Sequence, residues 1–458
     1  RAPVVGQPGV IASSWSTTSR GRPRPDPRSV PSELLALPCP SGPACAVSIL
    51  QRMAPPSPGK VEFKRWLFAP PRPHGALDKD RTVSNLELFY DLVYVAVIGA
   101  AASALKSDIS MGGVTIFAIV FGMVWIAWLN GSLYVELHGR EDGRTRLLVF
   151  LQMGILALLA VFTAHAANGT GTQFALAYAA FLAVMTWQWW RVRELDRTDR
   201  PEFLPITAFY VGGMVASTAI VLASAFLPTD VRLIAWTVFV IGWLAGITFA
   251  ARATRTGQTE GILPTESIVE RFGGFTIIVL GEVILGVVAG LAAVEPDALT
   301  IVTGLLALVI GFGLWWIYFD FVGRRLPRNT RGTIGAWMLS HLPITASITA
   351  AGAAIVSLVE HAHDPTTPAP TAWLLAASVA LGLLSLILTS QSLEDAVRLE
   401  RVYRPLKLAL AVGALVALAA GWLALAPWLL ALLLVAILSA LWFFAVAWLI
   451  RAGSWTST

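Results

Sequence analysis

Charge is scarce in this chain. Lys, Arg, Asp and Glu make up 13% of its 458 residues, about half the share a soluble domain carries. That shortage excludes an ordinary water-soluble globule. It also excludes a nucleic-acid partner, because such binders gather basic residues on one soluble face. Cysteine is nearly absent too. Cys39 and Cys45 are the two in the chain, too few for a disulfide framework. Their spacing is not CxxC and no histidine stands near them, so they do not compose a zinc ligand set. No metal and no cofactor is expected. A Walker loop, a dinucleotide fingerprint, an HExxH pair and a nucleophile elbow are all missing, which argues against ATP-driven pumping within this chain.

What is present is apolar. Hydrophobic residues account for 56% of the chain, the mean hydropathy is +0.69, and the charges fall between long apolar runs. This is the pattern of a polytopic membrane protein. Windows near 20 residues, each able to cover about 30 Å, fall at 86–105, 113–135, 146–165, 172–190, 205–227, 231–251, 268–292, 299–322, 334–359, 371–391, 405–425 and 427–449. The expected fold is therefore all-α, with about twelve transmembrane helices over residues 81–452. Residues 1–80 are rich in Pro, Arg, Ser and Gly, as in Arg22-Pro23-Arg24-Pro25-Asp26-Pro27. Such a segment buries too little surface to fold, so it is expected to be a disordered cytoplasmic tail. It lacks a signal-peptide layout. The chain opens on Arg1, and Met53 is a candidate start.

The loop charges orient this count. With the N-terminus inside, the cytoplasmic loops hold 18 basic residues, from Arg140, Arg144 and Arg146 through Arg271 to Lys407, whereas the outer loops hold Lys106 and Arg232. That bias follows the positive-inside rule and puts both termini in the cytoplasm. The first and seventh runs open on similar wording, Ser84-Asn85-Leu86-Glu87 and Ser267-Ile268-Val269-Glu270. Trp125 with Asn130 in the second run has an echo in Trp315 with Asp320 in the eighth. Two parallel six-helix halves, 81–260 and 261–452, are expected from these echoes.

Both opening phrases fit a capping box, in which the serine takes a backbone N–H and the glutamate reaches back to the serine's own N–H. Glu87 and Glu270 need no further role on that account, and Arg271 becomes an interfacial anchor or a carboxylate partner. Asp91 lies one turn beyond Glu87 on the same face. Two carboxylates so close tend to share a proton. They form either an ion-handling pair or, with Arg271, a clamp between helices. Glu282 stands roughly 22 Å into its run, where a charge costs about 2.5–3.5 kcal/mol on insertion scales. It must be protonated, paired or facing a wet cavity. His341, beside Pro343, is either a proton relay or a histidine bonded to a neighbouring helix. Ion pairs at i+4 are expected for Asp320 with Arg324 and for Glu136 with Arg140. Gly286 and Gly290 make a GxxxG step that permits close helix packing. Glu360-His361-Ala362-His363-Asp364 has ligand chemistry without committed metal spacing.

The wording Glu87-Leu88-Phe89-Tyr90-Asp91-Leu92-Val93-Tyr94-Val95, with Glu270-Arg271-Phe272-Gly273-Gly274 running on to Leu280-Gly281-Glu282, resembles the bacterial low temperature requirement A family. His341-Leu342-Pro343 matches that family as well. The similarity covers about residues 80–450. Family wording has Phe where Tyr90 and Tyr94 stand and often Leu at Gly274, departures that leave the carboxylates in place. The resemblance implies a multi-spanning inner-membrane protein linked by name to growth in the cold, and it makes Glu87, Asp91, Glu270, Arg271, Phe272, Glu282 and His341 candidate site residues. The expected function is a proton- or cation-coupled secondary transporter or permease in contact with the lipid bilayer. The alternatives are a membrane enzyme acting on lipid or a lipid-linked substrate, and a sensor or scaffold without turnover.

Overall fold

The computed structural model describes residues 70–76, 81–140, 142–253, 265–295, 297–330 and 332–451. Cys39, Cys45, Met53 and most of the segment read as a tail lie outside the described residues.

Among the described residues there are thirteen helices and no strands. In chain order they are α1 Asn85–Ser107, α2 Met111–His138, α3 Gly143–Thr163, α4 Gly171–Asp199, α5 Leu204–Ser224, α6 Thr229–Ala253, α7 Glu266–Ala292, α8 Ala298–Phe321, α9 Thr333–Glu360, α10 Ala369–Ser390, the single turn α11 Asp395–Arg398, α12 Glu400–Trp422 and α13 Pro427–Arg451. The twelve long ones match the twelve expected runs. Eleven of them are long and apolar enough to cross a membrane. The exception is α4, 29 residues long, whose last third carries Arg191, Arg193, Glu194, Asp196, Arg197 and Asp199. The chain is thus a multi-pass membrane protein. Its outer faces present Leu88 and Leu92, Val215 and Ile220, and Leu408 and Leu415 to the bilayer.

Polar caps start many of these helices. Ser84, Ser110, Asp142, Thr265 and Asp297 each accept a backbone N–H three residues on, filling donors that the first turn leaves unpaired. The α12–α13 turn is as tight as the sequence suggests. Ala424 takes a positive φ of 47°, and both the N–H and the hydroxyl of Thr367 donate to Leu425 O at 2.8 Å.

The pattern of neighbours in the first six long helices recurs in the last six. In the first set α1 packs on α2 and α3, α3 on α4, α4 on α5, α5 on α6, and α2 on both α4 and α6. In the second, α7 packs on α8 and α9, α9 on α10, α10 on α12, α12 on α13, and α8 on both α10 and α13. The two sets meet where α1, α7 and α9 touch one another. Close passage there uses missing side chains. A Cβ on Gly286 would lie 2.4 Å from Gly352 O, and one on Gly290 would lie 2.7 Å from Val359 Cβ. The GxxxG step is therefore the α7–α9 crossing, as small residues at membrane helix contacts permit.

Candidate functional site

Three carboxylates and two guanidiniums meet where α1 and α7 begin and α2 ends. Arg271 Nη1 donates to Glu87 Oε2 at 3.1 Å, and its Nη2 donates to Asp91 Oδ1 at 2.7 Å. Trp128 Nε1 on α2 adds a second donor to Asp91 Oδ1, at 2.9 Å. Arg81, just before α1, pairs with Glu87 and donates to Glu136 Oε2 at 2.5 Å. Glu136 also accepts from Thr265 Oγ1 at 2.6 Å and from Ser267 Oγ at 2.7 Å. Arg271 is 1% exposed, and Asp91, Glu87 and Glu136 are 3–4% exposed. Charges buried this well persist only when paired and hydrogen-bonded. The carboxylates outnumber the guanidiniums by one.

The sequence anticipated part of this network. The first capping box forms, with Ser84 N donating to Glu87 Oε1 at 3.3 Å and Glu87 N to Ser84 Oγ at 3.4 Å. The second does not. Thr265 is the cap of α7, Ser267 turns to Glu136, and Glu270 is exposed, because two more polar residues precede the phrase and the helix starts on them. The expected Glu136–Arg140 and Asp320–Arg324 pairs are likewise replaced. Arg81, Thr265 and Ser267 take Glu136. Asp320 Oδ2 accepts from Trp442 Nε1 on α13 at 3.0 Å, while Arg325 pairs with Asp395 at 2.5 Å. Tertiary donors aimed at a buried or half-buried carboxylate outcompete a flexible arginine one turn away.

Glu282 stands apart from this network. It lies about 24 Å along α7 from Glu266 at ~1.5 Å per residue, roughly 16 Å beyond Arg271 by the same measure. It is 6% exposed, and its Oε1 has no hydrogen-bond partner among the described residues. The carboxyl faces Gly99 of α1, where a Cβ would lie 3.3 Å from Oε1, while the Glu282 backbone lies against Gly352 of α9. Tyr94, Phe275 and Val279, each no more than 1% exposed, lie on α1 and α7 between the levels of Asp91 and Glu282. The two carboxylates therefore do not share a contact.

His341 is a third, separate element. Its Nδ1 is 2.8 Å from Trp337 O and its Nε2 is 3.2 Å from Tyr318 Oη. The ring lies against Phe272 with centroids 4.8 Å apart, and Phe272 in turn meets Trp128 at 4.9 Å. Among the described residues neither Asp320 nor His341 has a hydrogen bond or ion pair to Glu87 or Asp91. Among the described residues no group of three His, Cys, Asp or Glu could hold a metal ion. The Glu360–Asp364 loop is spread over other partners, Glu360 on Lys106 at 3.2 Å and His363 on Asp297 at 3.0 Å.

Sequence reasoning missed Arg81 and the role of Glu136. It also missed His74, whose Nδ1 is 2.9 Å from the buried Asp196 and whose ring stacks on Phe203 at 4.9 Å. Within the segment read as a tail, then, residues 70–76 are anchored to the bundle. Arg72 Nη2 donates to Glu136 O at 2.6 Å and Arg72 N to His138 O at 3.0 Å, closing carbonyls that the end of α2 leaves free. Isolated Arg and His residues among prolines carry no periodic signal, so composition concealed these anchors.

Beside the network lies a cavity of about 480 Å³, lined by Arg81, Glu87, Tyr90, Arg271 and the α2–α3 turn. The fold and this buried ionic network define a multi-pass membrane protein in which the ends of three helices are joined by buried charge. The chain belongs to the bacterial low temperature requirement A protein family, whose model matches residues 82–443. It is similar to an uncharacterized protein, RA0937, of Rhizobium meliloti (strain 1021), with 26% identity over 288 residues covering 59% of this chain and 68% of the relative.

Proposed function

We propose that this chain is a proton- or cation-coupled secondary transporter or permease of the bacterial inner membrane, with both termini cytoplasmic, and that Glu282 takes up the coupling ion. The observation that carries this reading is a carboxyl oxygen buried at mid-helix with no hydrogen-bond partner among the described residues. Carboxylates at that depth are costly and mark ion pathways. Binding of a proton or cation removes the cost.

The recurring neighbour pattern supports two halves, 81–260 and 261–452, that move against each other about the α1–α7–α9 junction. Glu87, Asp91 and Arg271 then join the halves at one face as a latch, since both carboxylates come from α1 and the guanidinium from α7. Asp91 serves that latch rather than sharing an ion with Glu282. Glu270 stands at headgroup level on the same face.

The test is proton flux into proteoliposomes under imposed pH and cation gradients, wild type beside Glu282→Gln, with monodisperse elution as the check on folding. Flux in wild type that is lost in the folded variant supports the reading, and equal flux in both sinks it. Lipid chemistry is the second reading. It rests on the cavity, where Ser84, Glu87 and Arg271 line a wall beside the lipid-facing Phe89 and Phe150. Turnover of a lipid extract by wild type but not by Ser84→Ala would favour it.

A further inference from the structure

The cavity beside the network has an amphiphilic shape of its own. It is built from the first two turns of α1 (Asn85, Leu86, Glu87, Phe89, Tyr90), the end of α2 (Val135, Gly139, Arg140) and the first turns of α3, from Thr145 to Gln152. These are helix ends, so the cavity lies at headgroup depth and spans about 10 Å along α3 at ~1.5 Å per residue. Phe89 and Phe150 on its rim are 48% and 54% exposed, and their neighbours Leu88, Leu92, Leu147 and Leu151 also face outward. The cavity thus opens sideways between α1 and α3 into the hydrocarbon, not only toward water.

Four arginines line it, and they divide into two kinds. Arg81 and Arg271 are committed to Glu87, Asp91 and Glu136. Arg140 and Arg146 are exposed and have no carboxylate partner among the described residues. Among the described residues Glu87 is the carboxylate on the wall, and it is paired with Arg81 and Arg271, which also hold Glu136 and Asp91. An anion entering the cavity therefore first meets two rim guanidiniums with no carboxylate partner among the described residues, and behind them a carboxylate held in ion pairs. Ser84, Asn85 and Gln152 add neutral polar side chains.

We propose that this cavity seats the phosphate headgroup of an anionic phospholipid, with Arg140 and Arg146 on the phosphate and an acyl chain running out between Phe89 and Phe150. Planar guanidinium donors match phosphate oxygens, and basic pockets between membrane helices take such headgroups. The apolar rim favours a lipid over a free phosphate, which would gain nothing from Phe89 and Phe150. The site does not depend on what the protein transports.

The experiment titrates the purified full chain in phosphatidylcholine nanodiscs with increasing phosphatidylglycerol and follows the thermal midpoint. Wild type is expected to gain stability saturably with phosphatidylglycerol. Neutralising both rim residues, Arg140→Gln with Arg146→Gln, should weaken that response about 30-fold, from about 5-fold per arginine near a membrane surface, while leaving the midpoint in pure phosphatidylcholine unchanged. Glu282→Gln should keep the full response, which separates this site from the ion pathway. An undiminished response in the double variant overturns the proposal. So does a wild-type midpoint that rises equally with inorganic phosphate or glycerol phosphate, since the source would then be soluble. Loss of the response in Phe150→Ser, with folding retained, supports the acyl path.

Discussion

Gly99 and Glu282 face each other from the same register of two helices. The offset that aligns Ser84 with Ser267 and Glu87 with Glu270 also aligns Gly99 on α1 with Glu282 on α7, and these two positions are the ones in contact. A contact between equivalent positions is what a pseudo-twofold arrangement gives at its axis. Helix α7 supplies a carboxyl there and α1 supplies only a hydrogen atom, so the space for the carboxyl comes from the glycine.

This relationship makes Gly99 a sensitive position. A methyl group there would stand 3.3 Å from Glu282 Oε1, tight enough that the carboxyl must shift by tenths of an ångström. Gly99→Ala is expected to fold, losing about 1 kcal/mol from mild overpacking, and, on the proposed function, to slow proton flux. Gly99→Leu would fill the space altogether and abolish flux. Thermal midpoints and proteoliposome flux for both variants check this, and full flux in Gly99→Leu would separate the glycine from the carboxyl's function.

The latch should respond differently to removal of one partner and of both. Arg271→Ala leaves Glu87 and Asp91 buried without their shared donor, an imbalance that typically costs about 3–5 kcal/mol. Replacing the partners together, Arg271→Gln with Glu87→Gln and Asp91→Asn, removes the stranded charges and should recover much of that loss. Denaturation of the single, double and triple variants in detergent measures it. Additive losses with no recovery would mean that the ion pairs at 2.7 and 3.1 Å are not coupled.

The two opening phrases, alike in sequence, should separate on mutation. Ser84→Ala removes a working capping box and is expected to cost about 1 kcal/mol. Glu270→Ala touches an exposed side chain that caps nothing and should stay within about 0.5 kcal/mol of wild type. Ser267→Ala should cost more than Glu270→Ala, because Ser267 Oγ bonds the buried Glu136 at 2.7 and 2.9 Å. Thermal melts of the three variants rank them, and a loss from Glu270→Ala equal to that from Ser84→Ala would contradict the cap assignment.

These contrasts show what the sequence could reveal. Hydropathy located all twelve long helices, because a membrane span is an unbroken apolar run and needs no tertiary information. Charge inside a run singled out Glu282 and Asp91 for a similar reason, whereas Arg271 drew notice as an interfacial residue that could partner a carboxylate. Glu136 and Arg81 escaped because each stands near a helix end, where a charge is unremarkable. Their pairing spans 55 residues and depends on how α2 meets the segment before α1. The α4 helix has an apolar stretch in its first part, but Thr172, Gln173, Thr186 and Gln188 keep even that uncharged part less apolar than the other eleven. The α11 turn left no periodic trace, being four residues long.

His341 offers the sharpest choice between relay and strut. A carbonyl only accepts, so the 2.8 Å contact with Trp337 O puts a proton on Nδ1 of the neutral ring. The opposite nitrogen, Nε2, then accepts from the Tyr318 hydroxyl at 3.2 Å. Both nitrogens are thus occupied, and rings of Phe272 and Trp337 lie 4.8 and 4.6 Å from the imidazole. This surrounding makes His341 a strut between α8 and α9. His341→Phe should lose about 1–2 kcal/mol, the usual worth of buried neutral hydrogen bonds. Tyr318→Phe should lose a comparable amount, and the double variant less than the sum of the two. Flux per folded molecule should not change in any of them. If His341→Phe keeps its thermal midpoint and loses flux, the ring is passing protons after all, and Tyr318 is the group to which it passes them.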